Sequence, residues 1–236
     1  MNTGFDRTST RSFEIFSALS DSQFDNVIAT AAHRHVKAGE AVFEQGGEAK
    51  SFFVLVSGRL RVTQVTAEGQ QVIVRIVVPG DLFGIAKALQ RNDYPGTATA
   101  LVDSALLAWP TARWSGFMAA YPSMAVGAMQ TMGDRLQEAH SRLREMATEE
   151  VERRVAHTVL RLGNQSGRKE AAGVRIDFPV SKQDIAELSG TTLHTVSRIL
   201  TAWEAAGLVQ GGRQKLLLKN PHRLLLIGDG LVPGLL

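Results

Sequence analysis

The sequence predicts an α+β protein: an antiparallel β-roll, then a long helix, then a winged helix-turn-helix. Three observations predict it. Between residues 33 and 84, short apolar or alternating runs are punctuated by Gly39, Gly46-Gly47, Gly58, Gly69 and Gly80, at the roughly 8 to 12 residue spacing of short strands. Ala125, Met129, Met132, Leu136, Ala139, Leu143 and Met146 keep an a/d heptad register. Residues 181–209, SKQDIAELSGTTLHTVSRILTAWEAAGLV, fit two short helices joined by a tight turn.

The chain has 236 residues, 44% of them hydrophobic and 21% charged, which suits one large or two modest globular domains. With no cysteine, disulfides, thiolate metal sites and cysteine-ligated iron–sulfur clusters are excluded. The N-terminal stretch MNTGFDRTSTRSFEIF carries Asp6 and Glu14 and lacks the apolar core of a secretory signal. No apolar run approaches the ~18 to 20 residues that span a bilayer, so a cytoplasmic location without membrane contact is expected. The formal net charge is +3, and that excess falls after residue 147, where twelve Lys/Arg stand against nine Asp/Glu. The basic excess thus lies in the half that carries the two-helix pattern, as nucleic-acid binding favours.

In chain order, Ser20-Asp21 precedes a short amphipathic helix with Phe24, Val27, Ile28 and Ala31 at helical spacing. Strands are expected at 52–56, 60–65, 72–78, 97–102 and 105–109, with Ala67-Glu68-Gly69 as a hairpin loop. They imply a roll or barrel of about eight strands with closed edges. Pro122 opens the long helix, where its missing donor costs nothing. Its heptad seam, thinned by two alanines and Gly133, suits packing on the roll or self-association. We expect a homodimer with Met129, Met132, Leu136, Ala139, Leu143 and Met146 at the interface. Thr148-Glu149-Glu150 resembles an N-cap for a helix that buries Val151, Val155, Val159 and Leu162 and ends at Gly163. A polar loop at 164–173 and a strand at 174–180 follow. Expected domains are a sensor roll at 1–121, a dimerisation helix at 122–147 and a winged helix-turn-helix at 148–236.

Within the last domain, Ser181 and Asp184 approximate a capping box, and Ser189-Gly190-Thr191 breaks the first helix. Thr191 or Thr192 caps a second helix that Gly207 stops. At 100° per residue, Val196, Ile199, Leu200 and Trp203 share one side of it, with Trp203 read as core. His194, Arg198 and Thr201 lie opposite, flanked by Ser197. An apolar stripe backed by Arg, His and hydroxyls suits a helix inserted into the DNA major groove, the alternative being an ordinary helical hairpin. The hairpin expected at 208–219, around Gln210-Gly211-Gly212-Arg213, fits a wing whose Arg213 and Lys215 reach phosphates. Asn220-Pro221 starts a last helix, and the tail IGDGLVPGLL suggests only a docking segment.

This order resembles the cyclic-AMP receptor protein and fumarate/nitrate-reduction regulator (CRP/FNR) family over residues 13–226. PGDLFG at 79–84 and TVSRIL at 195–200 carry the resemblance most specifically. It implies a roll of the cyclic-nucleotide-binding-domain type. It also implies a homodimeric, sequence-specific transcription factor on a palindromic operator, with double-stranded DNA and RNA polymerase as partners. Carried over residue by residue, Lys182 and Gln183 match backbone-contacting positions, and Thr191, Thr192 and Thr195 suit phosphates. Leu193, His194, Ser197 and Arg198 match base-reading positions.

The chain departs from the family pattern in three places. Where the cyclic-nucleotide cassette holds an acid and then Arg-Ser or Arg-Thr, this sequence has Ile85, Pro95 and Gly96. That disfavours cyclic AMP, since a buried phosphate needs its arginine. The cysteines of the family's oxygen sensors are absent. His194 stands where many members carry glutamate, so a different base pair is expected there. TTLHTVSR is most similar to the nitrogen-oxide-responsive regulators of denitrification, several of which are thought to use haem or no tightly bound ligand.

His33 and His35 share one face of a strand and offer haem or metal ligands, against a reading as solvated or packed side chains. His140 and His157 are read as structural. The methionines at 129, 132 and 146 could adapt to an apolar ligand, but a dimer seam accounts for them. No Ser/His/Asp, paired-carboxylate or P-loop pattern appears, so no enzyme is expected. The effector is left unassigned. A haem-based nitric oxide sensor and a sensor whose winged domain binds protein remain as alternatives.

Overall fold

The structure, a computed structural model, describes residues 6–235. Residues 1–5 of the N-terminal stretch and Leu236 of the apolar tail lie outside the described residues. The chain divides into two compact units between Gln137 and Glu138.

The first unit opens with two short helices not expected from sequence, α1 (Arg7–Arg11) and α2 (Glu14–Ser17), then α3 (Asp21–Ala29). Ser20 caps α3 in a full capping box: its hydroxyl accepts from Gln23 N at 3.2 Å, and its own amide donates to Gln23 Oε1 at 2.9 Å. The strands are β1 (Ala32–Val36), β2 (Ala41–Phe43), β3 (Ser51–Ser57), β4 (Leu60–Val65), β5 (Gln71–Val77), β6 (Leu82–Phe83), β7 (Thr97–Ala100) and β8 (Ser104–Pro110).

These strands form two antiparallel four-stranded sheets, ordered β1-β8-β3-β6 and β2-β7-β4-β5. The expected closure of edges does not occur, because no ladder joins the sheets among the described residues and β1, β6, β2 and β5 remain edges. Two of these edges are blunted by brevity or polarity: β6 has two residues, and β1 (AHRHV) is exposed except at Val36.

Strands β3 and β8 are continuous apolar runs because both of their faces are buried. Phe52, Val54, Leu107 and Trp109 face a cluster with Phe16, Phe24 and Val27. Phe53, Leu55, Leu106 and Ala108 face a second cluster with Leu60, Val77, Phe83 and Tyr94. The buried Trp109 indole donates to Val27 O at 3.1 Å, so its polar edge is satisfied as the ring is buried. Helices α4 (Trp114–Ala120) and α5 (Pro122–Thr148) follow, and Met124 and Ala128 pack in the first cluster.

In the second unit, α6 (Val151–Ser166) starts after Glu150, which makes no side-chain cap. The expected cap at Thr148 is therefore wrong. Thr148 is the last residue of α5, and its hydroxyl donates back to Arg144 O at 2.9 Å. Val155, Val159 and Leu162 are buried as expected, whereas Val151 is only half-buried. Nor does Gly163 end α6: a Cβ there would stand 2.8 Å from Leu218 Cδ1, so the glycine serves close packing inside the helix. The expected loop at 164–173 is instead the end of α6 and strand β9 (Gly167–Glu170), paired with β10 (Gly173–Ile176). Then come α7 (Lys182–Ser189), α8 (Leu193–Ala205), β11 (Val209–Gly212), β12 (Lys215–Leu218) and α9 (Pro221–Gly228). The sheet order is β11-β12-β10-β9, a winged helix-turn-helix.

Candidate nucleic-acid interface

Local chemistry builds the two-helix unit. Ser181 Oγ accepts from Asp184 N at 3.0 Å, and Ser181 N donates to Asp184 Oδ2 at 2.7 Å, which closes the capping box of α7. Gly190 ends α7 in the left-handed region (φ 63°), where a Cβ would also press on Met146 Cε at 3.0 Å. Thr192 then caps α8, its Oγ1 accepting from Thr195 N at 3.2 Å. The inner face of α8 is fully committed, since Val196, Ile199, Leu200 and Trp203 are buried, as are Ile185 and Ala186 of α7.

That commitment turns the other face outward. Leu193, His194 and Arg198 are exposed and Ser197 is half-buried, all within an arc of about 140° at 100° per residue. Among the described residues, His194 and Arg198 have no side-chain hydrogen bond or ion pair. Lys182 Nζ donates to Ser197 Oγ at 3.1 Å, which joins a backbone candidate on α7 to a base-reading candidate on α8. Gln183 is exposed and donates to Glu187 Oε1 at 3.0 Å. Thr192 and Thr195 share a hydroxyl contact of 2.9 Å at the start of α8. Thr191 and Thr195 are half-buried and Thr192 is exposed, and the Thr191 amide donates to Ala186 O at 3.0 Å.

Arg213 and Lys215 flank the wing turn and are exposed. The wing is tied to α8, because Glu204 Oε1 accepts from Gly211 N at 2.7 Å. A cleft of about 400 Å³ opens between the start of α7, α8 and the wing, with Lys182 and Lys215 among its lining residues. On α5, Met129 (62% exposed), Leu136 (58%), Leu143 (67%) and Met146 (58%) form an uncovered heptad stripe. Ala139 is exposed too, and Met132 is half-buried.

Comparison with known proteins agrees with this architecture. The family model for the cyclic nucleotide-binding domain matches residues 33–121, and that for the Crp-like helix-turn-helix domain matches 153–227. The cyclic AMP receptor protein of Thermus thermophilus is 28% identical over 198 residues, covering 84% of this chain and 88% of its own. The transcriptional activator protein FnrA of Stutzerimonas stutzeri is 25% identical over 177 residues, covering 75% and 72%. The solved structure of FixK2 from Bradyrhizobium japonicum superposes with a TM-score of 0.71 at 22% identity, over 83% of this chain and 96% of that one. The chain belongs to the CRP/FNR family of transcriptional regulators.

Homologues in the CRP/FNR family are DNA-binding transcriptional regulators. In the roll of this CRP/FNR protein, Ile85 and Pro95 line a cavity of about 120 Å³ with Phe43, Phe83, Tyr94 and Leu89. Ordinary ligand sites measure roughly 300 to 1,000 Å³. Phe43 and Tyr94, both on the cavity wall, stack on each other at 3.9 Å. Tyr94 OH donates to Ser51 O at 2.7 Å, and burial pushes its phenol above the ordinary value, so the ring is held neutral. Gly96 lies close to β4, where a Cβ would stand 2.7 Å from Thr63 O.

Sequence reasoning missed four side chains here. Arg75 and Arg135 both line the roll cavity, and both face Asp81, at 3.4 and 3.7 Å. Arg135 also donates to Leu82 O at 2.7 Å. Arg154 donates to Glu149 O at 2.9 Å, Ser189 O at 3.1 Å and Gly190 O at 3.3 Å, clamping the turn between α7 and α8. Glu152 holds the Trp203 indole at 2.8 Å. The pairings of Arg135 with Leu82, Arg154 with Ser189 and Glu152 with Trp203 leave no periodic signal, since the partners are 53, 35 and 51 residues apart. His33 and His35 are exposed on edge strand β1. Among the described residues, no cluster of three or more His, Asp or Glu is placed to hold a metal ion. His140 is exposed, and His157 lies 3.4 Å from Glu149. No described helix is long and apolar enough to cross a membrane.

Proposed function

We propose that this protein is a homodimeric, cytoplasmic transcription factor that reads a two-fold-symmetric operator and does not use cyclic AMP as its signal. The observation that carries the reading is the outward face of α8. His194 and Arg198 stand exposed beside Ser197 while the opposite face is locked in the core. Arg198 suits guanine as a bidentate donor, and His194 can donate to guanine or accept from adenine. Lys182, Arg213 and Lys215 supply sequence-independent contacts to phosphates, with Gln183, Thr191, Thr192 and Thr195 beside them. The uncovered apolar stripe of α5 supports pairing of two chains, which sets half-sites about one helical turn apart. The small cavity of the roll, with proline at a position where the family binds phosphate, supports a signal other than a cyclic nucleotide. RNA polymerase is the partner that family membership suggests.

Selection of bound duplexes from a random pool tests this reading. The expected result is an inverted repeat whose affinity falls steeply between about 50 and 200 mM salt, through release of counterions from the phosphates. Failure to enrich any sequence, with salt-insensitive binding to protein instead, would favour a winged domain that docks on protein.

A further inference from the structure

The tail after α9 has no heptad, no alternation and no cap, and lies beyond residues 153–227 matched by the helix-turn-helix family model. Its path is nevertheless built. At Gly228 a Cβ would stand 3.0 Å from His157 Cε1, and at Gly230 (φ 70°) 3.2 Å from Arg153 Cζ. At Gly234 it would stand 2.2 Å from Glu152 Oε2. Three glycines thus carry the backbone closely over three side chains of α6, with Gly234 the tightest and Gly230 in the left-handed region that favours glycine. Directed bonds secure both ends: Arg153 Nε donates to Gly228 O at 2.8 Å, and Leu235 N donates to the two oxygens of Glu152 at 2.9 and 3.0 Å.

The carboxylate at the far end is not a surface group. Glu152 is 8% exposed, and the same Oε1 that meets the Leu235 amide also accepts the Trp203 indole N–H at 2.8 Å. Trp203 is fully buried in the last turns of α8 and is the largest anchor of that helix. A buried carboxylate is held by its donors, and losing one weakens the grip on the group that remains.

We propose that residues 229–235 form a strap that positions α8 through this shared carboxylate. The strap fixes Glu152, Glu152 fixes the Trp203 indole, and Trp203 sets how the exposed face of α8 is presented. Glu152 and Leu235 are positioning residues, and neither lies on that face. The effect on DNA rests on the function proposed above, whereas the effect on α8 itself does not.

The test uses the full-length chain in three variants. Leu235→Pro removes the donating N–H, since proline has none. Gly234→Val puts a side chain where Glu152 Oε2 stands, and Leu235→Ala keeps the amide as the conservative control. Amide hydrogen exchange across α8 is measured without DNA, and affinity is measured for a duplex taken from the random-pool selection. Amides in the last turns of α8 should exchange about tenfold faster in Leu235→Pro and Gly234→Val, as loss of a bond to a charged group implies, and at the wild-type rate in Leu235→Ala. Duplex affinity should fall about threefold to tenfold in the same two variants and stay unchanged in the control. Unchanged exchange in both variants overturns the strap whatever the DNA result. Faster exchange with undiminished duplex affinity overturns its positioning role. Faster exchange in a protein whose wild type enriches no duplex supports the strap and removes the DNA-reading function instead.

Discussion

Arg198 offers a large measurable effect from one side chain. It projects from the exposed arc of α8, with no hydrogen-bond or ion-pair partner among the described residues, so both donor edges of the guanidinium are available to a base. We expect Arg198→Ala to cost about 1 to 3 kcal/mol on the selected duplex and to relax preference at one base pair. Competition between selected and random duplexes reads this directly, and equal loss on both would assign Arg198 to the phosphates. The local chemistry around it was legible in the sequence. Ser181 and Asp184 are three residues apart, and the pattern from Val196 to Trp203 repeats at helical spacing, so cap and face follow from neighbours alone. What holds the unit together was not legible. Arg154 reaches the carbonyls of Ser189 and Gly190, and Glu152 reaches Trp203, through contacts that only folding brings within range.

At the scale of elements, spacing was readable where an element has one buried face and ambiguous where it has two or none. The expected strands at 52–56 and 105–109 lie within β3 and β8, but their pairing into two sheets with free edges depends on a register that hydropathy does not carry. Threonine and glycine usually punctuate helices, so the sequence suggests a start at Thr148 and a stop at Gly163. Here one bonds to its own preceding turn and the other makes room for Leu218. The long helix is the opposite case, where an element can be checked by what fails to cover it. Met129, Leu136, Leu143 and Met146 stand well over half exposed on one stripe of α5. Full burial of such a side chain is worth about 1.5 to 3 kcal/mol, so a two-fold partner gains from each contact twice. Joint Leu136→Glu and Leu143→Glu substitution should convert a dimer into a monomer in sedimentation velocity while leaving helicity intact. A wild-type chain that already sediments as a monomer would remove α5 as the dimer seam.

At the scale of the whole molecule, each unit grips α5 from its own side of the division. Arg135 meets Asp81 and Leu82 in the first unit, and Glu145 takes Arg161 at 2.7 and 2.9 Å in the second. A signal in the roll acts on DNA binding only through differential affinity for two states of the chain, so the chemistry of the cavity limits what the signal can be. The absence of an arginine at the family's phosphate position was legible at Pro95, whereas the arrival of Arg75 and Arg135 from β5 and α5 was not. Both guanidiniums already face Asp81, and the cavity they line measures only about 120 Å³, so we expect no cyclic-nucleotide binding there. Cyclic AMP at about 1 mM should therefore leave both the thermal midpoint and the affinity for the selected duplex unchanged. A ligand present at a hundred times its dissociation constant would add about 2.7 kcal/mol to stability, a shift that a melting curve readily resolves. A saturable rise in midpoint with cyclic AMP would overturn that expectation. If Pro95→Arg alone produced such a rise, the missing phosphate partner would be what keeps the nucleotide out.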